Sequence, residues 1–390
     1  MIVSSPAPER LSPRDRTRED VFATIRSSRG VTRSALARVT GLSSSTVGHA
    51  VMRLLAEGRV VEGTLSAMGR GTGSGRRAAI LTAVPGAAHV GAIDFGHQHF
   101  RVAIGDEAGH VIGERDVRLN VDDSPVAGLD AACAEIEQLC DRHGISSLAG
   151  IAVGVPGPVE RATGIIRTTT ILSNWSGMRP AREVENRLGV RAIVDNDAIL
   201  GAMGERHQGA GELHDHFLYV KAAHGIGAGM VLAGEPYRGG TGFAGEIGHA
   251  HIEGRPELCR CGSRGCLEAV VSVPSVMEQI FHTHPQLDEE KVDLATLTDS
   301  VSTRVLNEAG RILGGALADL INLLNPTALI IGGELGSSGS AFIGGVRSSV
   351  NRFAQMPLAS SCVVLPAALG TRAELIGALV LAGSLVPSGN

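Results

Sequence analysis

The sequence lacks the features that mark exported and membrane-spanning proteins. No charged segment followed by an apolar segment opens the chain, so we expect neither a signal peptide nor an oxidising compartment. The most apolar stretch, residues 316–331, is interrupted by Asp319, Asn322 and Asn325, which predicts a buried helix followed by a strand rather than a membrane span. We therefore expect a cytoplasmic protein with no membrane partner.

Lysine is also absent from the first 80 residues, although this segment is strongly basic. It contains 13 Arg and 6 acidic residues, a net charge of +7, whereas the remaining residues carry −12. The overall charge of −5 alone would argue against a nucleic-acid partner. The asymmetry instead predicts a small domain that meets phosphate, attached to an acidic body that does not.

The length and composition predict an α/β protein of two or three structural units. Its 390 residues exceed what one ordinary core holds, and 43% hydrophobic residues with 52 glycines fit α/β packing with many tight turns. Between Arg77 and Val90 the composition changes from Arg, Gly and Ser to alternating apolar strands, and no short-period repeat is visible. The domain boundary is therefore expected near residue 80.

The apolar residues between Thr17 and Glu62 predict three short helices, the second and third separated at Gly41. Thr32 and Ser43 are natural N-caps, because their side-chain oxygens satisfy free amides of the first turn. A short helix, a Gly-containing turn and a second helix that opens with hydroxyl residues predict a helix-turn-helix. A short strand at residues 59–62 and a stretch rich in Gly and Arg at residues 69–77 would complete a winged form.

The polar face of the third helix is the expected DNA-reading surface. Its small N-terminal residues fit a major groove, and arginine beside glycine in residues 69–77 fits a narrow minor groove. The alternative is a three-helix interaction module whose arginines are only solvated, but the local charge favours DNA. The predicted DNA-binding residues are Arg33, Ser43, Ser44, Ser45, Thr46, His49, Arg53 and Arg70.

Half of the six cysteines fall within eight consecutive residues, 259–266, shortly after a histidine. Tetrahedral Zn²⁺ takes Cys sulfur at about 2.3 Å and His nitrogen at about 2.0 Å, and a tight Cys-x-Cys turn needs permissive residues such as Gly262 and Gly265. Three ordinary buried cysteines near an unrelated histidine are the alternative, and a disulfide is not expected in a reducing compartment. The predicted ligands of a structural zinc ion are His249, Cys259, Cys261 and Cys266.

Polar or glycine-rich loops follow the predicted strands of the acidic body. These loops begin at Asp94, Asn174, Asp195, Gly225 and Gly332. Loops of carboxylates, amides and glycines at strand ends are what a polyol and a nucleotide phosphate require. Recurring strands followed by helices therefore predict α/β layers with ligand loops at the strand ends.

Over essentially the whole chain the sequence resembles the ROK family, the group of repressors, open reading frames and sugar kinases. Residues 242–249 and the cysteine segment through Glu268 are similar to both family signatures in order and spacing. The resemblance implies an actin-like (RNase H-like) two-lobed α/β ATPase domain over residues 81–390, preceded by a winged-helix DNA-binding domain over residues 1–80. One lobe would comprise residues 81–195 plus the C-terminal helix, and the other residues 196–375.

The resemblance also implies a sugar in the cleft, with zinc supporting one wall. His249 would bind zinc through one nitrogen and sugar through the other. Asp197 resembles the base that deprotonates the accepting hydroxyl in the family's kinases and would be catalytic if kinase activity persists. For Asn196 and Asp197 the alternative role is a helix cap. The sugar-binding residues implied are Asn174, Asn196, Asp197, Glu246, His249 and Glu268.

The chain departs from the kinases at the phosphate positions. His97 and Gln98 stand where the kinases have a glycine and a threonine, His224 replaces a second threonine, and Ile199 replaces an asparagine. Bulky side chains at these positions impede ATP far more than sugar, so ATP is not an expected cofactor.

The sequence therefore predicts a sugar sensor rather than an enzyme: a DNA-binding repressor, homodimeric or homotetrameric, that responds when a sugar or sugar derivative closes the cleft. Closing could change the spacing of two recognition helices, which must match half-sites about 34 to 36 Å apart. One alternative is an ATP-dependent hexose or N-acetylhexosamine kinase with a DNA-binding appendage. Another is a protein-interaction scaffold with a vestigial pocket.

Overall fold

The computed structural model describes residues 13–26, 28, 30–56, 59–63, 79–84, 88–167, 173–287 and 292–386. The chain divides into two compact units, the first ending at Ala87 and the second spanning Ala88–Val386. The predicted boundary near residue 80 is therefore too early, because a strand at Ile80–Ala83 pairs with strands of the first unit. Within the described residues, no helix is both long and apolar enough to cross a membrane.

The first unit is a three-helix core with a small antiparallel sheet of order β1-β3-β2. Residues on all three helices form its buried centre, among them Ile25, Leu36 and Leu54. The predicted stretch at residues 69–77 lies outside the described residues. The elements are α1 (Pro13–Arg26), β1 (Val31–Thr32), α2 (Arg33–Thr40), α3 (Ser44–Ala56), β2 (Val60–Gly63) and β3 (Ile80–Ala83).

Both predicted N-caps of this unit are present. The Thr32 hydroxyl accepts a hydrogen bond from Ala35 N at 3.2 Å, and the Ser43 hydroxyl accepts one from Thr46 N at 3.2 Å. Gly41 ends α2 with a φ of +68°, in the left-handed region that glycine adopts without steric cost. These local signals fix the two helices and the turn between them, as the sequence predicts.

The second unit begins with a five-stranded sheet of order β10-β7-β4-β5-β6. Strands β4, β5 and β6 pair antiparallel in chain order. Strand β7 pairs parallel with β4, and β10 pairs parallel with β7. The elements are β4 (His89–Phe95), β5 (His99–Asp106), β6 (Val111–Arg118), α4 (Pro125–His143), β7 (Gly150–Val155), β8 (Val159–Glu160), β9 (Ile165–Ile166), α5 (Pro180–Leu188), β10 (Ala192–Asn196) and α6 (Asp197–Gln208).

A second five-stranded sheet has the order β13-β12-β11-β14-β15. The long helix α9 packs on it with α11 and α8 around a core that includes Leu313 and Phe342. The elements are β11 (Phe217–Ala222), β12 (Ile226–Leu232), β13 (Glu235–Tyr237), α7 (Leu267–Val271), α8 (Val273–Thr283), α9 (Ser300–Leu324), β14 (Ala328–Gly332), α10 (Gly333–Ser337), α11 (Ser340–Phe353), α12 (Met356–Ser361), β15 (Val363–Pro366) and α13 (Ala373–Gly383).

The two sheets of the second unit share one topology. Each has three antiparallel strands in chain order followed by two parallel strands, so the same arrangement occurs twice in the chain. Helix α13 packs through Leu375 and Leu379 on the first sheet, beside Val90, Ala152 and Leu200. This duplicated topology is the two-lobed, actin-like α/β fold that the sequence predicts. It sets the carboxyl ends of parallel strands around one cleft, where ligands of open α/β sheets bind.

Candidate sugar cleft, metal cluster and DNA-reading helix

A cavity of about 410 Å³ opens in the second unit at these strand ends. Its walls include Asp94 on β4 and Asp197 at the start of α6, and Lys221 on β11 and Gly225 just before β12. A volume of this size lies within the usual range of small-molecule sites, about 300 to 1,000 Å³. Most of the polar groups predicted from the sequence reach it. The predicted sugar-binding residues on its walls are Asn196, Asp197, Glu246, His249 and Glu268.

Asn174 is placed outside the cavity walls. Its side-chain amide donates to the carbonyl oxygens of Asp122 and Asp123 at 2.8 and 3.3 Å, and so fixes the loop that precedes α4. No local pattern in the sequence indicated this pairing, because the partners lie about fifty positions earlier in the chain.

The junction of β10 and α6 sets Asn196 in place at the cavity wall. The Asn196 side-chain oxygen accepts from Ala198 N at 2.9 Å and from Ile199 N at 3.3 Å, and its amide nitrogen donates to Gly157 O at 3.1 Å. The helix-cap alternative is thus correct for Asn196, and the residue lines the cavity as well. Asp197, the next residue, is the first residue of α6 and is only 6% exposed.

Asp197 is paired with a lysine that the sequence analysis did not single out. Lys221 Nζ donates to Asp197 Oδ2 at 2.8 Å, and Ala198 N donates to Asp197 Oδ1 at 2.8 Å. Both oxygens of the Asp197 carboxylate therefore already accept a hydrogen bond. The available signal was a lysine within a hydrophobic strand, since every other residue of β11 is buried and uncharged.

Glu246 and Glu268 reach the cavity because the backbone near them is tightly packed. Gly245 has a φ of +106°, and a Cβ atom there would lie 1.9 Å from Ala228 O, so only glycine fits. Desolvation by the surrounding protein raises the pKa of Glu246, although part of its side chain is exposed. Glu268 lies in the first turn of α7, and its Oε2 accepts from Ile226 N at 3.0 Å.

The predicted metal ligands form one cluster. Their ligand atoms all lie within 4.8 Å of one another, with Cys259 Sγ 3.8 Å from His249 Nδ1 and Cys261 Sγ 3.6 Å from Cys266 Sγ. The edge of a tetrahedron with Zn–S bonds of 2.3 Å is about 3.8 Å, so the donor set and its spacing fit a tetrahedral ion.

The loop that carries the cysteines is a tight knuckle. Cys259 N donates to Ser263 O at 2.8 Å, and Gly262 and Gly265 take φ values of +89° and +72°. A hydrogen bond from the Ser263 backbone lowers the pKa of Cys261 to about 7, whereas burial raises the pKa of Cys259 and of Cys266. Cys266 directly precedes α7 and therefore ties the cluster to Glu268.

Two imidazoles lie at the positions that the family resemblance assigns to the phosphate loops, His97 in place of a glycine and His224 in place of a threonine. The rings of His97 and His224 lie 4.8 Å apart, centre to centre, and His97 Nδ1 lies 2.9 Å from Asp122 Oδ2. Burial lowers the pKa of His224 to about 4, so this ring is neutral near pH 7. The two rings line the cavity and narrow the side where the family resemblance would place a phosphate chain.

In the first unit, α3 presents part of the predicted DNA-reading surface to solvent. Ser45, His49 and Arg53 recur every four residues, which places them on one face of the helix, and all three are exposed, as is Ser44. Thr46 lies beside them and is partly buried.

Three other predicted DNA-binding residues are placed differently. Ser43 caps α3, Arg33 forms a two-bonded ion pair with Glu62 on β2, and Arg70 lies outside the described residues. The pairing of Arg33 stabilises the link between α2 and β2 and occupies the guanidinium.

Comparisons with known proteins agree with this architecture. A family model described as "ROK family" matches residues 90–384. The chain is 30% identical over 351 residues to a xylose repressor of Bacillus subtilis (strain 168), and these residues cover 89% of this chain and 89% of the repressor. It is also 29% identical over 306 residues to a glucokinase of Halalkalibacterium halodurans, covering 73% of this chain and 92% of that protein.

Two solved structures resemble the fold. One is described as a ROK family transcriptional regulator, a homologue of the E. coli MLC protein, with a TM-score of 0.75, 22% identity and 96% of both chains covered. The other is a ROK family glucokinase from Streptomyces griseus in complex with glucose and AMPPNP, with a TM-score of 0.66 and 26% identity. It covers 76% of this chain and all of its own. The chain described above belongs to the ROK family.

Proposed function

We propose that this protein is a sugar-responsive, DNA-binding transcriptional regulator of the repressor type. The observation that carries the proposal is the combination, in one chain, of a helix-turn-helix unit with an exposed polar helix face and a cavity lined by carboxylates, an amide and an imidazole. Carboxylate and amide groups are the acceptors and donors that sugar hydroxyls need. The similarity to xylose repressors spans 89% of the chain, a share too large for the second unit alone.

Zinc is the proposed metal of the cluster, held by His249, Cys259, Cys261 and Cys266. A closed set of four protein ligands is typical of structural zinc, which contributes to folding and leaves no coordination position for catalysis. The ion would fix the knuckle from which Cys266 leads into α7 and Glu268. Its role is thus to shape the wall of the sugar cavity.

Regulation requires the sugar to bind one of two states more tightly. A decisive switch needs a difference of about 5.5 kcal/mol in binding free energy between the states. We propose a homodimer or homotetramer whose paired helix-turn-helix units read two half-sites of operator DNA. Sugar binding in the cleft would change the separation of the units, and with it the fit to half-sites about 34 to 36 Å apart.

The direct experiment measures operator binding by the full-length chain over a panel of pentoses, hexoses and their derivatives, with melting temperature followed in parallel. We expect one sugar class both to raise the melting temperature at millimolar concentration and to lower DNA affinity at least about tenfold. If no sugar class alters either measurement, the regulator proposal is contradicted and a protein-interaction scaffold is favoured.

A sugar kinase is the second candidate, favoured by Asp197 at the cavity wall and by the similarity to glucokinases. The Lys221 contact with Asp197 and the imidazoles at the phosphate positions oppose it. An assay of ADP release with the same sugars separates the two functions. Turnover that disappears in Asp197→Asn would establish the kinase instead.

DNA binding itself should depend on the exposed face of α3. We expect Arg53→Ala to weaken binding about tenfold for all sequences and to reduce the salt dependence by about one counterion, because a phosphate contact is lost. His49→Ala should instead change the preferred sequence. Fluorescence anisotropy over a range of salt concentrations measures both effects.

Arg182→Ala is the matched control for Arg53→Ala, since Arg182 is an exposed arginine of the second unit. We expect this control to leave both DNA affinity and the salt slope unchanged. Equal effects of the two substitutions would show that charge alone, and not the face of α3, determines binding.

A further inference from the structure

Lys221 lies in the wall of the cleft among three acidic side chains. Its Nζ is 2.8 Å from Asp197 Oδ2 and 3.8 Å from Glu374 Oε1, and Asp94 lines the same cavity. The three carboxylates come from different parts of the fold: the end of β4, the start of α6 and the first turn of α13. The tertiary structure alone brings them around one cation.

The three acids are nearly inaccessible to solvent. Asp94 and Glu374 are each 2% exposed and Asp197 is 6% exposed. Glu374 Oε1 accepts from the Tyr219 hydroxyl at 2.8 Å. Asp94 Oδ1 is buried and has no hydrogen-bond partner among the described residues. Buried carboxylates without a cation or a donor are strongly disfavoured, so this cluster needs positive charge at its centre.

The electrostatics of the cluster reflect that need. Burial raises the pKa of Asp94 to about 7, and the positive charges of Lys221 and, to a smaller extent, Arg101 oppose this rise. Burial on its own would lower the pKa of Lys221, but Asp197, Glu374 and Asp94 together hold it above its usual range. Lys221 is therefore a permanent cation near pH 7. Its charge is fixed to the wall by a strand and cannot diffuse away.

We propose that the Lys221 ammonium group is a tethered cation that occupies a latent divalent-cation site formed by Asp94, Asp197 and Glu374. Removing the ammonium would leave three carboxylates on one cavity wall, and carboxylate oxygens are the ligands that hard cations such as Mg²⁺ and Mn²⁺ prefer. With it, the cleft keeps its charge balance without metal. The sugar response is then independent of divalent cations and of metal-bound nucleotides, a property that the proposed regulator function does not by itself require.

The test measures Mn²⁺ binding to the zinc-loaded, full-length chain by electron paramagnetic resonance. Lys221→Met removes the ammonium and keeps an unbranched side chain of similar length. We expect this variant to bind one Mn²⁺ per chain at least about tenfold more tightly than the unmodified protein. Adding Asp94→Asn to Lys221→Met should abolish the gain, and Lys221→Arg, which retains the charge, should show none.

Arg238→Met is the matched control. Arg238 Nη2 lies 2.7 Å from Asp195 Oδ2, and its side chain is 17% exposed, against 19% for Lys221. It pairs with a single carboxylate and is not part of the cavity wall. Removing this cation should therefore create no Mn²⁺ site. A gain equal to that of Lys221→Met would show that loss of any cation suffices, and would overturn the proposal.

Folding must be measured in the same experiment, because Lys221→Met leaves three buried acids together. We expect the variant to melt at a lower temperature than the unmodified protein in EDTA and to recover with millimolar Mg²⁺ or Mn²⁺. Lys221→Gln provides a second uncharged variant that can still donate to Asp197. The proposal is overturned if folded variants bind Mn²⁺ no better than the unmodified protein. It is equally overturned if neither variant folds in the presence of divalent cations.

Discussion

Alanine in place of Cys259 should leave the full-length chain without stoichiometric zinc and lower the free energy of unfolding of the second unit by about 4 kcal/mol. Cys259 is 4% exposed, and its Sγ faces His249 Nδ1 at 3.8 Å, so one quarter of the ligand set is lost. Because Cys266 leads directly into the helix that carries Glu268, the sugar-dependent rise in melting temperature should disappear as well. Metal analysis, chemical denaturation and thermal melting with sugar measure the three effects.

Cys362→Ala is the appropriate control for this experiment. Cys362 is also buried, at 6% exposure, but it lies between α12 and β15, outside the metal cluster. Its removal should cost about 1 kcal/mol through lost packing and leave the zinc content at one ion per chain. Unchanged zinc content in Cys259→Ala would show that the ligand set is wrong.

A methyl group at Gly245 should be the most damaging small change near the cavity. The new Cβ would lie 1.9 Å from Ala228 O, and the φ of +106° is strained for any residue with a side chain. We expect Gly245→Ala to cost about 3 kcal/mol of stability and to move the adjacent Glu246 away from the cavity. Because Glu246 is displaced, the affinity for sugar, measured by calorimetry, should fall as well.

Gly240→Ala offers a control from the same loop. A Cβ atom at Gly240 would meet nothing within 4 Å, and its φ lies outside the left-handed region. This substitution should therefore change stability and sugar affinity little. If both alanines behaved alike, the close approach to Ala228 would not be what positions Glu246.

Local patterns predicted the features whose residues are close together in the chain. The caps at Thr32 and Ser43 were predicted from hydroxyl residues beside helix starts, and both are present. The metal cluster was likewise predictable, because its three cysteines fall within eight residues of a turn rich in glycine. In each case the physical cause is short-range: a capping hydrogen bond, a backbone dihedral or a chelating loop.

Some interpretations changed because a distant partner intervened. Arg33 was predicted to contact DNA, yet Glu62, 29 positions later, pairs with it. Asn174 was predicted at the sugar, yet it donates to the backbone of residues 122–123. The boundary near residue 80 was too early because β3 pairs with β1 and β2 across a long intervening segment.

The sequence by itself determined the helix-turn-helix, the histidine–cysteine cluster, most of the acids around the cavity and membership in the ROK family, because contiguous motifs encode them. Only the tertiary structure decided that one sheet topology occurs twice and that Lys221 stands among Asp94, Asp197 and Glu374. Strand order and buried charge pairing depend on which segments meet in space. Residues separated by up to 280 positions, as Asp94 and Glu374 are, leave no local periodicity from which their contact could be predicted.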